Sequence, residues 1–360
     1  EVYSYDGRGN RLSIEENGQI KEEYQYNIAD EITQRGIYWD GRRTEYYNYA
    51  YQDDPEVMMK FTMQYKRYDP MPRWQTIYRE EQSFDYREKM VNFYMREEIY
   101  RSGNPWLTNT TNTQFSYLPD GLGRIGKKTY SKFKAGTELP PQGLRIEKEL
   151  FYLNDFFDLL YEKENTVTQQ GLNPPEYFER EKYYTMGPGI DFPMIMSYKD
   201  TENPNFKAYF YFLNGHNDVV YFADSNFTEE QIESYEYNPW GVLLTEASKN
   251  NLLYTAREFD FDTGLQFNRM RYYNPNLGRF NYKDLLYDLN RYLYVNNNSI
   301  NILDSFGLYG SFAYIMLAGV TCCSGLNPNP GTGERCVDCC QRLGIKGSES
   351  SCIAYCDQAG

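Results

Sequence analysis

One short pattern recurs along the 360-residue chain, in which two aromatic residues separated by one position precede a turn signal. Copies begin at Tyr3, Tyr24, Phe115 and Tyr235. Residues i and i+2 of a strand share a face, so both rings of a pair lie on one side. The Asp, Asn, Gly and Pro residues that follow favour turns. Each copy therefore predicts strand, turn and strand, and because one hairpin cannot bury its aromatic face, the hairpins must continue as a sheet.

The composition supports a large sheet and disfavours several classes of function. The chain has 38 Tyr and 21 Phe, and Tyr favours strands while its hydroxyl stays hydrated. A net charge of −14 repels phosphates, so no nucleic-acid partner is expected. With a single histidine, His216, the chain lacks the usual means for zinc hydrolysis or for Ser-His or Cys-His catalysis, and no metal or cofactor is expected. No apolar run reaches the ~18 residues of a membrane-spanning helix.

Local patterns add finer expectations. Strand character continues through residues 38–100. Residues 155–163 have a helical alternative, but a strand is favoured, and residues 166–175 are predicted as a surface loop. The Gly-Pro-Gly run at 187–189 and His216 are both assigned to turns. Because the chain opens without Met inside a patterned segment, we expect it to be the C-terminal piece of a longer, exported polypeptide.

From residue 184 onward, motifs follow one another in a distinctive order. They are Tyr-Thr-Met-Gly-Pro-Gly-Ile-Asp-Phe-Pro (184–193), Leu-Asn-Gly-His-Asn-Asp (213–218), Phe-Asp-Thr-Gly-Leu (261–265), Arg-Tyr-Tyr-Asn-Pro-Asn-Leu-Gly-Arg-Phe (271–280), Leu-Asn-Arg-Tyr-Leu-Tyr-Val-Asn-Asn-Asn (289–298) and Asp-Ser-Phe-Gly-Leu (304–308). Over residues 183–308 their order and spacing resemble the RHS-repeat-associated core of the RHS/YD-repeat family, and the looser repeats extend the resemblance back to residue 1.

The resemblance implies a mainly β fold, a spiral β-sheet shell around a cavity with a core that folds inward as a plug. It divides the chain into a repeat shell (1–182), the associated core (183–308) and a variable tail (309–360). It also implies a structural, encapsulating role in surface display, contact between cells or toxin delivery, at the cell surface or after secretion. The expected partners are the upstream shell of the same polypeptide, another cell surface and glycans, and a glycan-binding adhesin with stacked Tyr rings is one alternative.

A second alternative is an aspartyl self-protease, because relatives that release their cargo cut after an Asp-Pro-x-Gly-Leu motif. The expected cut is Leu308–Tyr309, with Ser305 in place of the family's Pro. Two carboxylates would share a proton, so that one activates water and the other polarises the carbonyl. The residues implied are Asp284, Asp262 or Asp260, and Arg279 as the cation that orients the pair. The same residues can instead serve only to hold the fold.

All seven cysteines lie between residues 322 and 356. Two pairs spaced i, i+4 predict a small helical hairpin closed by disulfides, because so short a segment has little core of its own. The predicted pairs are Cys336 with Cys356, Cys340 with Cys352, and Cys339 with Cys322 or Cys323. The rival is a zinc site at Cys336, Cys339 and Cys340, which lacks a second Cys-x-x-Cys. Disulfides require an oxidising compartment, which agrees with export.

Overall fold

The structure is a computed structural model of the chain. It describes residues 1–52, 60–68, 74–84, 90–101, 107–119, 124–136, 143–155, 158–225, 232–247, 249–284, 290–305 and 307. These residues are nearly all β, in antiparallel sheets, as the repeat predicted.

Seventeen strands make up the main sheet. They are β1 (Val2–Tyr5), β2 (Arg11–Glu16), β3 (Gln19–Tyr26), β4 (Ile32–Trp39), β5 (Arg42–Gln52), β6 (Lys60–Tyr68), β7 (Trp74–Phe84), β8 (Met90–Arg101), β9 (Leu107–Pro119), β10 (Ile125–Gly136), β11 (Leu144–Asn154), β12 (Leu159–Gln170), β13 (Glu176–Met186), β14 (Pro193–Asp200), β15 (Lys207–Leu213), β16 (Val219–Asp224) and β17 (Ile232–Ser234). Each strand pairs antiparallel with the next one along the chain. The sheet is thus built from successive hairpins.

Three of these hairpin connections, and one further hairpin that follows β17, use the same five-residue turn. In each turn the side-chain Oδ1 of the first residue accepts hydrogen bonds of 2.8–3.0 Å from the backbone N–H groups two and four positions later. The fourth residue has a positive φ of 59–82°. The first residues are Asp6, Asn27, Asn214 and Asn238. The turns predicted after Tyr5, Tyr26 and Tyr237 are therefore confirmed, because Asn and Asp satisfy their own turn's backbone.

Alternate residues of the strands fill one face of the sheet with aromatic rings. Phe93 of β8 and Phe115 of β9 are fully buried, with ring centroids 5.5 Å apart. Tyr209 of β15 stacks on Phe222 of β16 at 5.0 Å. Burying such a ring contributes about 2–3 kcal/mol, so this face is the main source of stability.

Residues 235–307 pack against the aromatic face. They contain a second sheet of β18 (Glu258–Asp260), β19 (Leu265–Asn268), β20 (Arg271–Asn274) and β21 (Arg279–Phe280), and two three-residue 3-10 turns, Tyr254–Ala256 and Val295–Asn297. Inside the segment Tyr273, Phe280 and Tyr294 form a buried cluster. We call residues 235–307 the core segment.

The core segment contacts both ends of the main sheet. Trp240 packs edge-on against Tyr3 of β1, with ring centroids 6.1 Å apart. Three residues earlier, the Tyr237 hydroxyl donates to the Val219 carbonyl of β16 at 2.8 Å. Strands lie about 4.8 Å apart, so β1 and β16 of a flat sheet would be separated by roughly 70 Å. The sheet therefore curves, so that strands near its two ends both contact residues 237–240.

Two local predictions have clear outcomes. The strand favoured for residues 155–163 is confirmed from Leu159 onward, where β12 begins. The loop predicted over residues 166–175 is wrong in its first half, because residues 166–170 complete β12 and the turn starts at Gly171. The domain boundary predicted at 182/183 lies within β13 and stays a prediction. The cysteine-rich tail lies outside the described residues, so the helical hairpin and disulfides predicted there, and the rival zinc site, stay predictions.

Candidate functional site

The β19–β20 hairpin holds the backbone of Asp304, Ser305 and Gly307, which we call the motif segment. The Asn268 side chain donates to the Asp304 carbonyl at 3.0 Å. Arg269 donates to the Ser305 carbonyl, and Arg271 Nε donates to the Gly307 carbonyl. Three side chains of one hairpin therefore bind three carbonyl groups of the motif segment, which fixes its register.

Gly307 fits this site because it has no side chain. Its φ is +68°, a conformation that favours glycine. A Cβ at this position would lie 2.4 Å from the Asn268 carbonyl oxygen and 3.0 Å from the Arg271 nitrogen. Close backbone approach between the motif segment and the hairpin thus requires glycine here.

Arg271 brings two buried carboxylates together. Its Nη2 lies 2.8 Å from Asp284 Oδ2 and 3.8 Å from Asp304 Oδ2, and its guanidinium stacks 3.6 Å from the Phe280 ring centroid. Arg271, Asp284 and Asp304 are each 4% exposed. The site thus holds two acids and one cation out of water, immediately before the predicted cut.

The other two predicted acids, Asp260 and Asp262, lie in a different environment. Asp260 Oδ2 lies 2.6 Å from Lys128 Nζ and accepts a hydrogen bond from Tyr117 at 3.3 Å. Asp262 Oδ2 lies 3.6 Å from Lys128 Nζ and 3.9 Å from Lys148 Nζ. These contacts attach the end of β18 to β9, β10 and β11.

Arg279 does not take the role predicted for it. Its Nη2 donates to the Asp30 carbonyl at 2.7 Å, and its guanidinium lies 4.9 Å from the Tyr26 ring and 4.8 Å from the Tyr292 ring. The ion pair with Asp284 belongs to Arg271 instead. Neighbouring strand residues face opposite sides, so Phe280 fills the core cluster while Arg279 points towards the β3–β4 turn. The prediction that Arg279 orients the acids is therefore wrong.

A second buried charge cluster lies beside the motif segment. Arg269 binds Asp191 at 2.7 Å and Asp158 at 3.0 Å, and Arg257 binds Asp191 at 2.9 Å. Burial raises the pKa of Asp191 to about 6, although the charge of Arg269 opposes the shift. Burial, and next the charge of Asp191, raise the pKa of Asp158. Asp191 belongs to the β13–β14 connection, so the cluster ties that connection to the hairpin.

A cavity of about 200 Å³ separates the core segment from β9–β13, and its walls carry charges of both signs. Burial, together with the nearby charge of Glu162, raises the pKa of Glu258 to about 8. Burial also lowers the pKa of Lys182 to about 8, with Glu162 opposing. The Glu162 carboxylate lies 3.2 Å from Lys182 and binds the Asn251 amide at 3.2 Å. These groups attach Asn251 of the core segment to the sheet.

His216 lies in the turn that the sequence assigned to it. Its backbone N–H donates to Asn214 Oδ1 at 2.9 Å, and its Nδ1 lies 3.1 Å from Asp218 Oδ1. The hydrogen bond with Asp218 raises the pKa of the imidazole. Asp218 also accepts the Thr255 N–H at 3.0 Å, so this His-Asp pair connects the β15–β16 turn to the core segment.

The glycan-binding alternative needs exposed rings. Tyr183 is 46% exposed and packs against Tyr161 at 4.6 Å and Phe206 at 5.4 Å. This alternative stays a hypothesis. Among the described residues no group of three or more His, Cys, Asp or Glu side chains is placed to hold a metal, and no helix there is long and apolar enough to cross a membrane.

Comparison with known proteins gives partial matches. No family model matches the chain. It is 32% identical over 222 residues to the tRNA3(Ser)-specific nuclease WapA of Bacillus spizizenii, which covers 55% of this chain and 9% of that protein. It is 30% identical over 222 residues to the tRNA nuclease WapA of Bacillus subtilis strain 168, with 55% and 9% covered. It is also 38% identical over 74 residues to the putative uncharacterized protein YibJ of Escherichia coli K12, covering 19% of this chain and 32% of that one.

The chain therefore spans about a tenth of the length of the WapA proteins. Among solved structures, TcdB2-TccC3 matches 85% of this chain and 21% of its own, with 15% identity and a TM-score of 0.32.

The sequence pointed to Asp284 but not to its partners. Arg271 opens the Arg-Tyr-Tyr motif and Asp304 opens the motif segment, so both positions carried a signal. The sequence could not show which arginine pairs with Asp284, because Arg271 and Arg279 stand in the same motif. The predicted cut, Leu308–Tyr309, lies outside the described residues.

Proposed function

We propose that this chain is the C-terminal portion of an RHS/YD-repeat protein whose sheet encloses a C-terminal effector. In this proposal β1–β17 belong to a spiral shell, the core segment is its inward plug, and residues 309–360 are the enclosed tail. The polypeptide would be exported and would act at a cell surface in toxin delivery. Toxin delivery is compatible with the nuclease role named for the WapA relatives.

The observation that carries the proposal is the curvature of the sheet around the core segment. Trp240 and Tyr237 contact strands near opposite ends of the meander. A sheet that curves this far has an inside, and its aromatic face is turned inward. The ordered motifs over residues 183–308 and the similarity to WapA support the family.

Protease accessibility in the full polypeptide tests enclosure. A recognition site for a sequence-specific protease is inserted after Pro330, and the matched control carries the same site at Gly171, beside the fully exposed Leu172. We expect the native protein to be cut at the control site and to be cut after Pro330 only once it is unfolded. Equal rates of cutting at both sites in the native protein would refute enclosure.

The arrangement around Arg271 favours a second candidate function, self-cleavage by Asp284 and Asp304. In this scheme one carboxylate accepts a proton from water as the water oxygen bonds to the Leu308 carbonyl carbon. The other carboxyl group donates a proton to the Tyr309 nitrogen as the C–N bond breaks. Arg271 holds the Gly307 carbonyl and stabilises the charged acid of the pair.

Intact-mass measurement tests this second candidate. We expect a fragment that begins at Tyr309 in the wild type, and its loss in Asp284→Asn and in Asp304→Asn. Asp262→Asn is the matched control and should still be cut, because Asp262 pairs with lysines of the sheet. An uncut wild-type chain would remove self-cleavage and leave the enclosure proposal standing.

A further inference from the structure

A lysine, an asparagine and a glutamate meet where the core segment packs on the main sheet. Lys182 of β13 lies directly opposite Glu162 of β12, and Asn251 comes from the core segment. Lys182 Nζ donates to Asn251 Oδ1 at 3.2 Å and lies 3.2 Å from Glu162 Oε1. Asn251 Nδ2 donates to Glu162 Oε2 at 3.2 Å. The amine, the carboxamide and the carboxylate therefore contact one another in a closed triangle.

The Asn251 carbonyl oxygen has a second donor. Tyr184 lies two residues after Lys182 on the same face of β13, and its hydroxyl donates to Asn251 Oδ1 at 2.9 Å. Two donors at Oδ1 and a carboxylate at Nδ2 fix the orientation of the carboxamide. The two donors also draw electron density towards the oxygen, which makes the carbonyl carbon of Asn251 a better target for a nucleophile.

The surroundings of Lys182 make its amine reactive. Lys182 and Glu162 are each 1% exposed. Burial lowers the pKa of Lys182 to about 8, against the charge of Glu162, so about a tenth of these amines are neutral at pH 7. Burial alone would raise the pKa of Glu162, but the charges of Lys182 and Arg180 lower it. A neutral amine and an ionised base thus contact the same carboxamide.

We propose that Lys182 and Asn251 join in an isopeptide bond, with Glu162 and Tyr184 as the catalytic residues. The neutral Lys182 nitrogen bonds to the Asn251 carbonyl carbon, and the carbonyl electrons move to the oxygen, where the Tyr184 hydroxyl stabilises the charge. Glu162 takes a proton from the attacking nitrogen and gives it to the carboxamide nitrogen. The bond between that nitrogen and the carbonyl carbon then breaks, and ammonia leaves with the bonding electrons. Glu162 ends as a carboxylate, and no oxidant or cofactor is consumed.

The isopeptide bond ties the core segment to the sheet without cysteine. All seven cysteines lie in residues 322–356, so residues 1–308 contain none. The bond joins positions 69 residues apart, one in β13 and one ahead of β18. Both Glu162 and Asn251 line the cavity of about 200 Å³, which offers ammonia a space to leave into. The inference requires neither enclosure nor self-cleavage.

Tryptic peptides of the purified, folded full chain, analysed by mass spectrometry, test the bond. Trypsin does not cut after a lysine whose amine is acylated, so we expect residues 181–199 to be recovered joined to residues 250–257. The joined species should be about 17 Da lighter than the two peptides together, the mass of ammonia. Separate peptides with a free lysine at position 182 would overturn the proposal. Loss of ammonia confined to residues 250–257 would also overturn it, because asparagine then has cyclised onto its own backbone.

Variants test the role of each group. Lys182→Met and Asn251→Ala should abolish the joined species, because each removes one of the two bonded atoms. Glu162→Gln should also abolish it, because a carboxamide cannot carry the proton. Tyr184→Phe should slow its formation by about 100-fold in a time course after cell-free synthesis, as the loss of one donor to the oxygen implies. An unchanged rate in Glu162→Gln would overturn the mechanism.

Lys128→Met is the matched control. It removes another buried lysine, whose Nζ pairs with Asp260 at 2.6 Å, and should leave the joined species at its wild-type yield. If the variants fail to fold, the peptide map of the wild type decides alone. A fragment that begins at Tyr309 reports self-cleavage separately, because its mass does not depend on position 182 or 251.

Discussion

At the scale of single residues, the core segment and the β13–β14 connection that packs on it have unusual backbone conformations beside their buried charges. Asp191 and Arg269 have φ values of 61° and 56°, and Thr255, whose N–H binds Asp218, has 52°. Such conformations cost free energy and persist only where the surroundings fix them. Here the surroundings that fix the backbone are hydrogen bonds to charged groups, and the pKa values of those groups can be measured.

His216 offers the cleanest titration, because it is the single histidine of the chain. Its hydrogen bond with Asp218 raises the pKa, so we expect NMR titration to give a value above 6.5. Asp218→Asn should lower that value, whereas Asp40→Asn, in an exposed turn, should not. A raised histidine pKa adds stability that is fully present below about pH 6.5 and is lost as pH rises through the folded-state pKa. A value at or below 6.5 would contradict this assignment.

Glu258 should also make stability depend on pH, in a way that weakens when the residue is replaced. With a folded pKa of about 8, Glu258 keeps a proton that the unfolded chain loses above its usual 4.5. The free energy of unfolding should therefore fall as pH rises from 4.5 to about 8. Urea unfolding of Glu258→Gln should show a weaker decline and a more stable protein at pH 8.5. Glu236→Gln, at an exposed position, should track the wild type.

At the scale of elements, the same five-residue turn closes three hairpins of the main sheet and one hairpin of the core segment. Asn238 Oδ1 accepts the N–H groups of Trp240 and Val242, and Asp6 does the same in the first hairpin with a carboxylate. Asn238→Ala should therefore lower the free energy of unfolding by about 1–2 kcal/mol. Asn238→Asp should retain most of the stability in chemical denaturation, and an equal loss in both variants would show that the acceptor oxygen is not what matters.

The turns were predictable because Asn, Asp and Gly act locally, on backbone groups within four residues. The end of β12 was not predicted correctly. The turn residues from Gly171 onward led to a loop prediction that began too early and included Thr166, Val167 and Thr168, although these residues favour strands. The partner of Asp284 was also beyond local reasoning. Arg271 and Arg279 stand eight residues apart in one motif, and only the packing of β20 and β21 decides which of them faces the acid.

Gly307 allows the motif segment to pack closely against the β19–β20 hairpin. Gly307→Ala should destabilise the protein by about 2–4 kcal/mol, because it adds a left-handed alanine and a clash with the Asn268 carbonyl. Gly171→Ala is the matched control, with a φ of 59° and open space around the position, and should cost only about 1 kcal/mol. Denaturation midpoints compare the two, and similar losses would mean that the close approach at Gly307 is relaxed at little cost.

At the scale of the whole molecule, the curvature of the sheet depends on a few contacts that join distant parts of the chain. Arg11 of β2 lies 4.4 Å from the Trp240 ring, which also packs on Tyr3 of β1. The Tyr273 hydroxyl donates to the Trp240 carbonyl at 2.8 Å, so the same residue is anchored in the core segment. Trp240 thus attaches the first hairpin of the sheet to a segment more than 200 residues later.

Removing that attachment should loosen both partners at once. Trp240→Ala should cost about 3–5 kcal/mol, as for a buried tryptophan, and should speed hydrogen exchange in β1–β2 and in β20–β21 together. Trp39→Ala is the matched control, because Trp39 is 71% exposed and its loss should change stability by less than about 0.5 kcal/mol. If exchange rises only around residue 240 while β1–β2 stay protected, the first hairpin is held by other contacts, and the curvature does not depend on this tryptophan.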